Sequence, residues 1–292
     1  MHPAPSIIAF TVLSGLGLGL LAFLGLGVAT PTGLAAFFWF GLGYALTLAG
    51  LAFSAFHLGH PERALKAFSQ WRSSWLSREA VLVTAALIVM APHAAGLVFW
   101  GRPLIWFGAI GGMLCLQTVL ATSMIYAQLR SVPRWCHWTT PAVFLLAAVC
   151  GGALLLGLTI AAQLLLAWLG LALVLHWVLG DRRFAASGSD LGTATGLGAR
   201  GSLRQLEPPH TGQNYLLKEM AYVVARKHAL KLRVIALVLG CLVPSALLWV
   251  APYSLISAIA AALMHVLGMA VARWLFFAEA EHVVGLYYGR RP

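Results

Sequence analysis

Apolar residues in this chain fall into long, nearly unbroken runs, each closed by a short polar or Gly/Pro break. Runs of about 20 apolar residues are long enough to cross a bilayer core as helix. The alternating segments of about 10 residues that mark a transmembrane β-barrel are absent. The pattern predicts an all-α polytopic integral membrane protein with about eight transmembrane helices in a bundle.

The first run, 6–30, is too long for the apolar core of a signal peptide and is read as a retained helix. Its Gly15 and Gly19 form a Gly-x-x-x-Gly pair that lets a neighbouring backbone approach closely. A turn at Pro31 and Gly33 leads into helix 2, from about Leu34 to His57, stopped by Gly59 and Pro61. Helix 3 is expected to start after Ser77 as N-cap, with Glu79 in the first turn, where the helix dipole favours an acid. It runs to about Trp100, with a kink at Pro92. Helix 4 covers about Leu104–Leu129 and carries a second close-packing pair, Gly108 and Gly112.

The loop from Arg130 to Pro141 is basic and aromatic, as at a headgroup boundary. Residues 142–180 would span about 58 Å as a single helix at 1.5 Å per residue, nearly twice the hydrocarbon thickness. They must fold back into helices 5 and 6, with the corner near Gly157–Gln163. The whole chain, 1–292, then reads as one membrane domain: helices 1–6 within 6–180, a charged loop over 181–233, and helices 7 and 8 within 234–288. In the loop, 181–213 reads as flexible and Leu216–Arg233 as a cationic helix lying on the membrane surface. Pro244 falls inside helix 7, and helix 8 ends between Phe277 and Tyr288.

Composition supports this class. The chain is 61% hydrophobic and 9% charged, against about 25% charged for a soluble domain. The net charge of +11 does not point to nucleic acid, because the cations sit in short loops beside membrane spans. Of 19 Lys and Arg residues, four fall in 58–78, two in 130–140 and nine in 181–233, with Arg273, Arg290 and Arg291 at the C-terminal end. Only Arg102 falls on the other side. By the positive-inside rule, both termini and the charged loops face the cytoplasm of a bacterial inner membrane. Four dispersed cysteines, Cys115, Cys136, Cys150 and Cys241, make no Cys-x-x-Cys and read as small buried side chains rather than cluster ligands.

Three chemistries are compatible with a helical membrane protein. Stacked b-type haems need paired axial histidines, but His93, His176 and His265 occur singly and at different depths, each better read as hydrogen-bonded within the bundle. Ion or proton transport calls for acids at mid-membrane, yet all eight acids fall in loops or at helix ends; a secondary transporter is the alternative of another class. Quinone chemistry needs a proton-exchanging group, polar contacts for the carbonyls and an apolar slot for the tail. His57 supplies the first, having a reference pKa near physiological pH. Arg63, Lys66, Arg72, Arg78 and Arg273 supply charge, and Glu79, Glu279, Glu281 and His282 offer a proton relay. The competing reading of 54–80 is a basic interfacial turn with Trp71 and Trp75 in the aromatic belt.

The run His57-Leu-Gly-His-Pro61 with Arg63, the run Ser74-Trp-Leu-Ser-Arg-Glu79, and the C-terminal Arg273-Trp-Leu-Phe-Phe with Glu281-His282-Val-Val-Gly285 resemble the DmsC family. These proteins are membrane anchors of dimethyl sulfoxide reductase-type complexes. The resemblance covers essentially the whole chain. It implies a subunit without haem, metal or iron–sulfur cluster that binds ubiquinone or menaquinone. It also implies partners: an iron–sulfur subunit and a molybdopterin catalytic subunit. The histidine of the family's His-Leu-Gly motif, implicated in quinone binding, maps to His57. In the dimethyl sulfoxide reductase this side is periplasmic, whereas the charge split here is cytoplasmic. Together with the long 181–233 loop, that is similar to the branch found in cytoplasm-facing sulfite-oxidising complexes. Sulfite:quinone oxidoreduction is therefore expected, with menaquinol-oxidising dimethyl sulfoxide reduction as the alternative.

Overall fold

In the computed structural model, residues 3–55, 61–207, 212, 228–252 and 254–288 are described, and of 61–64 the backbone alone. His57 and His60 lie outside the described residues, as do the Arg63 side chain and most of the expected surface helix.

The apolar runs form α1 (Pro5–Gly25), α2 (Gly33–Ala55), α3 (Trp75–Phe99), α4 (Ile105–Ala127), α5 (Thr139–Leu155) and α6 (Thr159–Ala186). A short α7 (Leu191–Thr195) precedes α8 (Ala229–Val250) and α9 (Leu255–Ala278). No strand occurs among the described residues. Among the described residues seven helices are long and apolar enough to cross a membrane, and a further apolar helix, α5, has 17 residues and is shorter. At 1.5 Å per residue it rises about 25 Å, the lower limit for a span.

α1 is the central helix, packed on α2, α4, α5 and α9. Lipid tails are as apolar as leucine, so close backbone approach rather than the hydrophobic effect holds such a bundle together. A Cβ at Gly19 would lie 1.8 Å from the Ala148 carbonyl oxygen, and one at Gly108 2.6 Å from that of Gly25. Both predicted glycine pairs thus sit where backbones meet, α1 on α5 and α4 on α1. Large side chains such as Leu34, Phe37, Trp106, Ile160 and Trp249 point outward to the lipid.

Several boundaries differ from expectation. α3 begins two residues before Ser77: Ser74 takes the extended N-cap position and its carbonyl accepts the Arg78 N–H at 3.0 Å. Glu79 is therefore past the first turn and is carried into the bundle. Trp135 is not at the headgroup boundary but 2% exposed, with its indole N–H donated to the Phe276 carbonyl at 2.9 Å. Trp138, 61% exposed, takes the boundary position instead. The α5–α6 corner is tight, with Gly157 at φ +66°. The loop 181–213 is partly structured: α6 continues through Asp181 to Ala186, and α7 is closed by an Asp190–Thr193 capping box. Tyr287 donates its hydroxyl to the Ala194 carbonyl, tying this loop to the C-terminal turn. In α8 a wide π turn, Val238–Leu242, precedes Pro244 and leaves the Gly240 carbonyl facing His265 Nδ1 at 2.8 Å.

Candidate functional site

The helix ends carrying the charged loops converge: the starts of α1, α3, α5 and α8 with the ends of α2, α4, α6 and α9. Just inside this end lies Arg273 on α9, 5% exposed. Its guanidinium carbon sits 3.4 Å from the centre of the Phe144 ring. Among the described residues no carboxylate lies within salt-bridge distance of it. A buried cation over an aromatic face is held by the ring quadrupole, with donors left over for another acceptor.

Glu79, also 5% exposed, accepts a hydrogen bond from the Thr122 hydroxyl of α4. Tyr126, one turn further along α4, is within electrostatic reach of both Glu79 and Arg273. Thr122 and Arg273 line one small cavity with Thr11, Ser14, Phe144 and His265. Its volume of about 20 Å³ is room for roughly one water molecule. The arrangement is a buried cation lining a small cavity, with a buried acid hydrogen-bonded to Thr122, another residue of its wall.

Alongside it runs a larger groove of about 640 Å³, apolar and open to the lipid. Pro5, Ile8, Val12, Phe53, Leu232 and Trp274 line it. Phe53 precedes His57 by four residues, and Trp274 adjoins Arg273 in sequence. Val12 and Val266 line both the groove and the small cavity.

The other predicted residues are distributed differently. Arg78 is a loop staple: it donates to the Trp71 and Arg72 carbonyls at 3.0 and 2.7 Å and lies 4.4 Å from the Trp75 ring centre. Arg72 is exposed, over Trp71. Glu279 is committed to two arginines. Arg134 donates to it at 3.2 Å and Arg233 at 2.8 Å. Both arginines also hold Asp181, Arg233 through two bonds of 2.6 and 2.8 Å. This closed ring of four charges clamps the α4–α5 loop, α6, α8 and the end of α9. Glu281 is half-buried, and His282 accepts the Val284 N–H at 3.0 Å. Burial pulls the His282 pKa below its usual value.

The three intramembrane histidines are each hydrogen-bonded: His93 to the Leu104 carbonyl at 3.0 Å, His176 to Thr139 at 2.9 Å, and His265 to Gly240. Sequence reasoning missed Thr122, Tyr126, Phe144, Arg134 and Arg233. Only Arg134 had a signal, its place in the basic aromatic loop.

A helical bundle whose one charged end gathers buried ionic groups beside a lipid-open groove is an integral membrane protein, and comparison with known proteins gives its role. The family model described as DMSO reductase anchor subunit (DmsC) matches residues 1–289, and the chain belongs to that family of anchors in oxidoreductase complexes. It is 32% identical to the C subunit of the sulfite dehydrogenase of Allochromatium vinosum, over 99% of each chain. No solved structure matches it.

Proposed function

We propose that the chain is the quinone-reactive anchor of a sulfite-oxidising complex in the bacterial inner membrane, its charged end in the cytoplasm. The sulfite assignment rests on the end-to-end similarity to the C subunit of a sulfite dehydrogenase and on the 18-to-1 division of Lys and Arg. A molybdopterin catalytic partner would convert sulfite and water to sulfate, two protons and two electrons. An iron–sulfur partner docked on the charged end would pass the electrons to a quinone, which takes two protons and leaves as quinol.

One observation supports the quinone reading: an apolar groove open to lipid adjoins, through Val12 and Val266, a small cavity lined by a buried cation with no carboxylate partner among the described residues. Pockets of about 300–1,000 Å³ lined by apolar groups with a few polar ones are typical of small-molecule sites. A polyprenyl tail fits the groove, with the quinone head at the end nearer the small cavity that Arg273 lines. His57 exchanges a proton with the quinone oxygen, and Arg273 donates hydrogen bonds to the oxygen that gains charge. Arg63 and Arg72 add positive charge to the segment between α2 and α3, and Arg78 to the first turn of α3. Glu79 holds a proton inside the site. Glu279, Glu281 and His282 lead toward the cytoplasm, where a neutral His282 can accept. Electrons and protons enter from one side, so the step itself builds no membrane potential.

The test is the complex carrying His57→Ala. Quinone-linked sulfite oxidation should be lost while dye-linked oxidation, which reads the catalytic partner alone, persists. Undiminished quinone turnover overturns the assignment of His57.

A further inference from the structure

Three side chains outside the scheme above form a continuous polar thread at the same end of the bundle. His137, in the loop before α5, is half-buried. Its Nδ1 lies 3.0 Å from Thr139 Oγ1, and that oxygen lies 2.9 Å from Nδ1 of His176 on α6. Thr139 is 2% exposed and His176 4%, so the thread runs from the loop into the core. There it stops. Nε2 of His176 is buried without a hydrogen-bond partner among the described residues.

A buried polar atom left unpaired costs roughly 1–3 kcal/mol, a cost that His93 Nε2 carries as well. What sets His176 apart is that its other nitrogen joins a thread reaching the loop. His176 satisfies Nδ1, the nitrogen facing the thread, and leaves Nε2 bare. The group between the two rings is a hydroxyl, which donates to one neighbour while accepting from the other and exchanges those roles by rotating. Two imidazoles separated by a hydroxyl is an arrangement that moves protons without moving atoms far.

We propose that His137, Thr139 and His176 form a proton relay between water at the charged end and the bundle interior, serving the quinone site; the destination rests on the quinone reading above. His137 Nδ1 also accepts the Thr139 backbone N–H at 3.4 Å, so the bonds as they stand run outward. For inward transfer His137 first changes to its Nδ1–H tautomer, then takes a proton from water at Nε2 and releases its Nδ1 proton to Thr139 Oγ1. Thr139 passes its own hydroxyl proton to Nδ1 of His176, and Nε2 of His176 gives its proton to the reduced quinone. One proton leaves water, one reaches the interior, and no electron moves. Reorientation of the hydroxyl and the rings resets the thread; the reverse sequence releases a proton.

The surroundings of His176 suit an inner terminus. Phe276 of α9 stacks on its ring, with centroids 5.8 Å apart and planes at 26°. The charges acting on it are Arg134 from the α4–α5 loop, Arg273 from α9, His137, and Arg233 from α8. Arg134 and Arg233 are in turn paired with Asp181 and Glu279. Arg273 belongs to the proposed quinone site and is one turn from Phe276, so the Phe276 ring is what links the inner end of the thread to that site; His176 itself lines neither the small cavity nor the groove.

Two measurements test the relay. In the complete complex, Thr139→Val keeps the shape and removes the relaying hydroxyl, while Thr139→Ser keeps the hydroxyl. General acid–base transfer contributes roughly 100-fold or more. Thr139→Val should therefore slow quinone-linked turnover by at least about tenfold, steepen its decline at high pH and leave KM for quinone unchanged. Thr139→Ser should restore the wild-type rate and pH profile. A Thr139→Val complex with wild-type turnover across pH overturns the relay, whereas a wild-type complex without quinone turnover overturns the quinone reading instead.

The second measurement needs no quinone. In the full chain in lipid nanodiscs with ¹⁵N-histidine, exchange of the His176 ring proton with water is followed by NMR. Exchange should slow by about tenfold or more in Thr139→Val, and also in His137→Phe, a loop variant that leaves Thr139 in place. Unchanged exchange in both overturns the relay, whichever way the quinone experiment falls.

Discussion

The guanidinium of Arg273 stands 3.4 Å above the Phe144 ring, and among the described residues it has no carboxylate to neutralise it. A desolvated cation–π contact of this kind is worth about 2 kcal/mol. Phe144→Leu should lower the stability of the protein by about that amount, read from thermal unfolding in detergent, and raise KM for quinone. Arg273→Lys keeps the charge but loses the planar fork. It should depress quinone-linked turnover while dye-linked turnover holds; equal loss of both would mean that Arg273 serves assembly.

Glu79 bonds to Thr122 across α3 and α4. Glu79→Gln keeps a hydrogen-bonding oxygen for the Thr122 hydroxyl and removes the exchangeable carboxyl proton. The complex should assemble normally and lose most quinone-linked turnover, with the residual rate nearly independent of pH. A variant that retains the wild-type pH profile removes Glu79 from the proton path.

The ring of Arg134, Asp181, Arg233 and Glu279 makes unequal demands on its two acids. Glu279 is 4% exposed and Asp181 44%. Removing one partner of a buried pair costs about 3–5 kcal/mol, whereas exposed pairs are worth about 1 kcal/mol or less. Glu279→Ala should therefore destabilise far more than Asp181→Ala in thermal unfolding. Comparable losses would show that the ring acts as a single unit.

Close backbone contact predicts a sharp contrast between glycines. Gly19→Ala would force a methyl to within 1.8 Å of the Ala148 carbonyl oxygen, while nothing lies within 4 Å of a Cβ at Gly41. Gly19→Ala should abolish a folded protein, and Gly41→Ala should be silent in expression and thermal unfolding.

His137 has a pKa below its usual value, first from burial and then from the nearby Arg183 charge. The folded protein thus favours neutral imidazole and binds fewer protons than the unfolded chain between the two pKa values. This contribution to stability is complete above the unfolded pKa of about 6.5 and is lost as pH falls below it. His137→Phe should flatten that part of the stability–pH curve; an unchanged slope would assign the titration elsewhere.

Sequence alone determined those features that depend on lengths and sums. Long apolar runs had to become helices, because only helices satisfy every backbone polar group within a single segment in lipid. Gly19 and Gly108 marked helix contacts before any partner was known, since absence of a side chain is legible wherever it occurs. The charge division marked one end of the bundle, and Arg273 stood out as a cation inside an apolar run. What tertiary structure decided was pairing. Nothing local in Glu79 says that it meets Thr122, because a shift of the α3 start from Ser77 to Ser74 rotates it from the dipole end into the core. Phe144 is one apolar residue among many until α5 crosses Arg273. Arg134 and Arg233, about 100 residues apart in the chain, close on the same two acids only when four elements converge. Periodicity and charge are additive along a sequence; contact between side chains on different helices depends on crossing geometry, which no single run of residues contains.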